Sequence, residues 1–138
     1  MALRIYIVKD VSIPYWEQEG TIRLGGVNPI EWGCLLWKEF NRKNVFEYTS
    51  EGGDRQAYDD YYSKQILLLR EKYPLIVRIN DYYEDAFYSK DEIEGFIDEI
   101  SALKEVVKHD ESIRLLDQLM KACELALQNN AGIVFFAD

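Results

Sequence analysis

Residues 88–138 read YSKDEIEGFIDEISALKEVVKHDESIRLLDQLMKACELALQNNAGIVFFAD, and their spacing decides the fold. Ser89-Lys90-Asp91-Glu92 has the form of a capping box, with Tyr88 and Ile93 placed for a hydrophobic staple. Ile93, Phe96, Ile97, Ile100, Leu103 and Val107 then share one helical face. Asp110 or Ser112 caps a second helix, whose apolar stripe is Ile113, Leu116, Leu119, Met120, Cys123, Ala126 and Leu127. Asn129-Asn130 and Gly132 end it in residues that tolerate left-handed geometry. Ile133 to Phe136 is a continuous apolar run, which predicts a buried final strand. A connection of only a few residues makes the two helices an antiparallel pair.

Working outward, Ile5 to Val8 predicts a buried strand, and Thr21 to Leu24 a partly exposed one that stops at Gly25-Gly26. Asn28-Pro29-Ile30-Glu31 starts a helix that runs to about Arg42, with Trp32, Leu35, Leu36 and Phe40 on one face. Val45 to Thr49 reads as a strand or a loop. Tyr58, Tyr61, Tyr62, Gln65, Ile66, Leu69 and Tyr73 recur at three and four, a helix ending before Pro74. Leu75 to Ile79, apolar and β-branched except for Arg78, predicts a central strand. The expectation is an α/β (α+β) fold: one domain over 1–138, with a small mixed sheet covered by about four helices.

The 138 residues include 25 acids and 16 Lys or Arg, for a net charge of −9. That balance disfavours nucleic acid and anionic membranes as partners and permits a basic protein. It is also localised. Residues 1–80 sum to about zero, whereas Asp81, Glu84, Asp85, Asp91, Glu92, Glu94, Asp98 and Glu99 face one cation, Lys90, between 81 and 99. No stretch approaches the ~20 apolar residues of a membrane span. The four-residue apolar run after Arg4 is too short for a signal peptide, so the expected location is the cytoplasm.

The sharpest candidate surface is Asp81-Tyr82-Tyr83-Glu84-Asp85-Ala86-Phe87-Tyr88, where tyrosines interleave with acids. Focused negative charge speeds encounter with a cationic partner, and Tyr offers rigid contact area. Asp91 and Glu92 are explained by capping, so Asp81, Tyr82, Tyr83, Glu84, Asp85 and Tyr88 carry the binding expectation. Asp59 and Asp60 form a second acidic patch, which joins the first only if the fold brings them together. Neither segment has the alternating acids, central Gly and final Glu of an EF-hand. Cys34 and Cys123 form no CxxC pair, and one His leaves too few soft ligands for a structural zinc, so no metal or cofactor is expected. Leu24-Gly25-Gly26-Val27-Asn28-Pro29 lacks a Walker Lys and reads as a tight turn. The single nucleophile–base candidate is Cys34 with His109, the route to an alternative reading as a small enzyme or ligand-binding domain.

Tyr88-Ser89-Lys90-Asp91-Glu92-Ile93, Phe96-Ile97-Asp98-Glu99-Ile100 and the terminal Ala131-Gly132-Ile133-Val134-Phe135-Phe136-Ala137-Asp138 resemble a pattern of immunity proteins in bacterial polymorphic-toxin systems. The resemblance implies a small acidic cytoplasmic domain that binds without catalysis. Its implied partner is a cognate toxin domain, often a nuclease.

Overall fold

The computed structural model describes residues 2–138. Four strands, β1 Leu3–Val8, β2 Ile22–Gly26, β3 Ala86–Tyr88 and β4 Gly132–Ala137, pair in the order β2-β1-β4-β3. Every pairing is antiparallel. Among the described residues there are five α-helices: α1 Pro29–Gly33, α2 Val45–Ser50, α3 Arg55–Lys72, α4 Ile93–Val106 and α5 Asp110–Gln128. The α/β architecture, the C-terminal helix pair and the final strand are as the sequence predicts. No helix is long and apolar enough to cross a membrane among these residues.

Alternation along the strands makes two unequal cores. Leu3, Ile5, Ile7, Ala86, Tyr88, Ile133 and Phe135 point to the helices and are buried with the stripes of α4 and α5. Tyr6, Val8 and Val134 point the other way, where Val11, Tyr15 and Phe136 cover them. Tyr15 stacks on Tyr6 at 3.9 Å. Gly25, at φ 87, lies in β2 beside a register shift against Ile5/Tyr6, so the two glycines form an irregular strand end and not the tight turn expected. Gly132 is fixed by close approach, because a Cβ there would meet the Tyr88 carbonyl oxygen at 2.5 Å.

The capping signals are realised. Asn28 accepts from the N–H groups of Ile30 and Glu31, and Asp54 accepts from that of Ala57. Ser89 and Glu92 form the capping box, the Ser89 N–H donating to Glu92 Oε1 at 3.0 Å. Asn44 likewise caps α2 by accepting from the Glu47 N–H, which makes Val45–Ser50 a short helix in place of a strand or loop.

One predicted strand is absent. Residues Ile76–Ile79 form a 3₁₀ turn, with Ile76, Val77 and Ile79 buried. The reason lies in α4. The Glu99 carboxylate accepts from the N–H groups of Leu75 and Ile76 at 3.0–3.1 Å, taking the bonds a strand ladder would use. Arg78 leaves the turn toward solvent and forks onto Glu92, donating also to the Phe87 carbonyl at 2.7 Å. The remaining strand is instead Ala86–Tyr88, an edge strand drawn from the segment expected to form a binding surface.

The Arg78 guanidinium holds the Glu92 carboxyl down to about 2, against burial and with help from the Ser89 N–H. The folded value lies below the unfolded one, so this stabilisation is present above about pH 5 and lost as the pH falls toward 2. Glu92 and Arg78 are about one-third exposed (33% and 36%), so solvent screening discounts the effect to roughly 1–2 kcal/mol. Glu92→Gln is expected to lose that amount at pH 7 and to match the parent protein near pH 2 in urea unfolding.

Candidate functional site

Asp81 opens the acidic-aromatic segment as a local turn, its carboxylate accepting the Tyr83 N–H at 2.9 Å. The turn faces α3 across a groove of about 500 Å³ lined by Tyr62, Ser63, Ile66, Leu67, Arg70, Asn80, Asp81 and Glu84. The Tyr62 hydroxyl donates to Asn80 Oδ1 at 2.6 Å and ties the two walls together. Burial raises the Tyr62 phenol, and Asp81 and Glu84 add to that while Arg42 opposes it. Behind the groove, Arg42 is buried with its guanidinium carbon 4.2 Å from the Trp37 ring centre and 5.4 Å from that of Tyr62. Leu67 (55% exposed) and Tyr83 add apolar surface around the acids. Acid, aromatic and aliphatic groups therefore share one open surface.

The predicted site residues divide. Asp81 and Glu84 line the groove, and Tyr83 stands exposed beside them. Asp59 and Asp60 do not line it; both are exposed on α3, with Asp59 one turn before the groove residue Ser63. Tyr82 and Tyr88 are corrections, because both are buried. The Tyr82 hydroxyl donates to the Val27 carbonyl at 2.6 Å, and its ring meets Trp32 edge-on. The Tyr88 hydroxyl donates to the Leu75 carbonyl at 2.6 Å, its ring stacks on Phe96, and burial raises the phenol well above its ordinary value. Asp85 points away from the groove and accepts the Ala137 N–H at 2.8 Å. There it borders a smaller apolar hollow of about 240 Å³ on the outer sheet face, among Tyr15, Trp16, Phe87 and Phe136.

A second constellation was only partly legible. One ligating atom each of Cys34, Glu39 and His109 lies within 4.8 Å of the others. Cys34 opens a π-helical turn, Cys34–Lys38, closed by the Glu39 N–H donating to the Cys34 carbonyl at 2.9 Å. In an α-helix residues five apart diverge by about 140°, so the wider turn is what aligns thiol and carboxylate. Glu39 Oε1 accepts from His109 Nδ1 at 2.7 Å and from the His109 N–H at 2.8 Å. The Lys108 N–H adds a contact at 3.1 Å, and the buried Ser112 hydroxyl donates to the Cys34 sulfur at 3.1 Å. Burial pushes the Glu39 carboxyl up, but the hydrogen bonds led by those from His109 and Lys108 outweigh it and hold the group below its ordinary value. Cys34 with His109 was foreseen as a pair. Glu39 was missed, since no α-helical spacing links it to Cys34.

Comparison with protein-family models, with curated proteins and with solved structures found no match to this chain.

Proposed function

We propose that this chain is a non-catalytic binding protein of the immunity type, which neutralises a toxin domain by seating a basic surface in the α3/80–84 groove. The observation that supports it most is the groove itself. Asp81 and Glu84 meet the apolar flank Ile66-Leu67 beside exposed Tyr83, so charge for steering and area for burial coincide. Exposed Asp59 and Asp60 extend the negative field along α3. The acidic balance of the whole chain and the resemblance of its second half to immunity proteins agree with this reading.

The alternative of a thiol-based enzyme draws on the approach of Cys34 to His109. Against it, Cys34 is 3% exposed and its sulfur already accepts the Ser112 hydroxyl, so the thiol is not presented to a carbonyl substrate. Binding is therefore the preferred function.

The test starts from the neighbouring gene. A secreted multidomain protein encoded there supplies the probe, its C-terminal domain expressed alone. That domain is expected to bind this chain and to stop inhibiting growth when the two are co-expressed. Asp81→Asn with Glu84→Gln is expected to weaken binding at least about thirtyfold, or ~2 kcal/mol, and to flatten its salt dependence. A neighbourhood without such a protein, or a double variant that binds as tightly as the parent at low salt, overturns the proposal.

A further inference from the structure

Outside the groove, the cluster at the junction of α1 and α5 brings together a soft sulfur, an imidazole and a carboxylate. We propose that Cys34, Glu39 and His109 bind a single zinc-class divalent ion, with solvent as the fourth ligand. This goes beyond the binding function above and does not depend on it.

The donor set is the first argument. Thiolate, imidazole and carboxylate are all zinc ligands, and three protein ligands with one open position is a recurrent arrangement for that ion. Distance is the second. Zinc–ligand bonds of about 2.0–2.3 Å in a tetrahedron place ligand atoms about 3.3–3.7 Å apart. The three atoms here lie within 4.8 Å of one another, so closing on an ion needs contraction of roughly 1 Å or a little more. The exposed His109 ring supplies it most readily, its side chain being 45% exposed.

Lone-pair capacity is the third argument. An ionised carboxylate offers about four acceptor sites. Glu39 gives Oε1 to the His109 ring and N–H, while Oε2 meets only the shared Lys108 N–H. Oε2 can therefore take an ion while Oε1 keeps the His109 backbone N–H at the head of α5; the ring gives up its bond to Oε1, so that Nδ1 ligates and Nε2 carries the ring proton. The Ser112 hydroxyl, fully buried and donating to the sulfur, would serve the thiolate as a supporting hydrogen bond. The backbone adds a fourth point. A π turn is uncommon, and this one brings Cys34 and Glu39 to the same side. Binding releases the Cys34 thiol proton to solvent, because the thiolate is the ligand.

The experiment is a calorimetric titration of the reduced protein with zinc chloride, run in two buffers of different ionisation enthalpy, with magnesium chloride as control. One ion per chain, a proton released on binding and no response to magnesium are expected. His109→Ala removes an exposed side chain and leaves the fold intact; it is expected to weaken zinc binding at least about tenfold. Cys34→Ser is expected to do the same and to remove the thiolate charge-transfer absorption of the cobalt-loaded protein. Zinc that binds His109→Ala and Cys34→Ser as tightly as the parent is held by surface acids, which overturns the proposal. Failure to bind zinc at micromolar concentration overturns it as well.

Discussion

Phe96→Ala is expected to lower the unfolding free energy by about 3–5 kcal/mol in urea denaturation. The side chain is fully buried and lies in the middle of the stripe that seats α4 on the sheet. It stacks on Tyr88 with ring centres 4.3 Å apart, and Tyr88 in turn meets Phe135 edge-on at 5.6 Å. Phe96 thus joins α4 to β3 and β4 through one aromatic column. Truncation removes the ring's transfer energy and leaves a cavity that Tyr88 cannot close, since its hydroxyl is tied to the Leu75 carbonyl. Total stability for domains is about 5–15 kcal/mol, so the variant should be close to unfolding at moderate temperature. Phe46→Ala, at an 81% exposed position, should change stability by less than about 0.5 kcal/mol.

Glu99→Ala is expected to cost about 2–4 kcal/mol, a large effect for a partly exposed acid, because it strands two backbone donors. Its carboxylate alone receives the Leu75 and Ile76 N–H groups as the chain leaves α3. Glu99→Gln keeps one acceptor oxygen and should lose less. Hydrogen exchange at amides 75 and 76 should accelerate in both variants, more in Ala than in Gln. The pH behaviour separates this acid from Glu92. Burial raises the Glu99 carboxyl despite the N–H donors that lower it. A folded value above the unfolded one means that its ionisation removes stability as the pH rises through that interval, the opposite sign to Glu92.

These two residues also show what was legible in the sequence. The capping box at Ser89–Glu92 and the stripes of α4 and α5 rest on contacts three or four residues apart, so reading along the chain finds them. The turn at Ile76–Ile79 rests on Glu99, more than twenty residues away, and an apolar β-branched run cannot reveal a distant acceptor. The placement of Tyr88 had a local signal that was overlooked. Ala86-Phe87-Tyr88 alternates as a strand does, sending Tyr88 inward and Phe87 out. Tyr82 had no such signal, being held by a carbonyl in the loop after β2. The groove acids Asp81 and Glu84 were legible as charge, but the α3 wall opposite them was not. His109 and Cys34 meet because α5 packs across the first helical segment, a tertiary event with no spacing to announce it.

The most direct measurement of the binding account is amide hydrogen exchange on the complex with the toxin domain defined above. Protection is predicted on α3 across residues 59–70 and on the turn at 80–84. Protection confined to the outer sheet face, at residues 11–16, 87 and 134–136, with the groove exchanging as in the free protein, would contradict it.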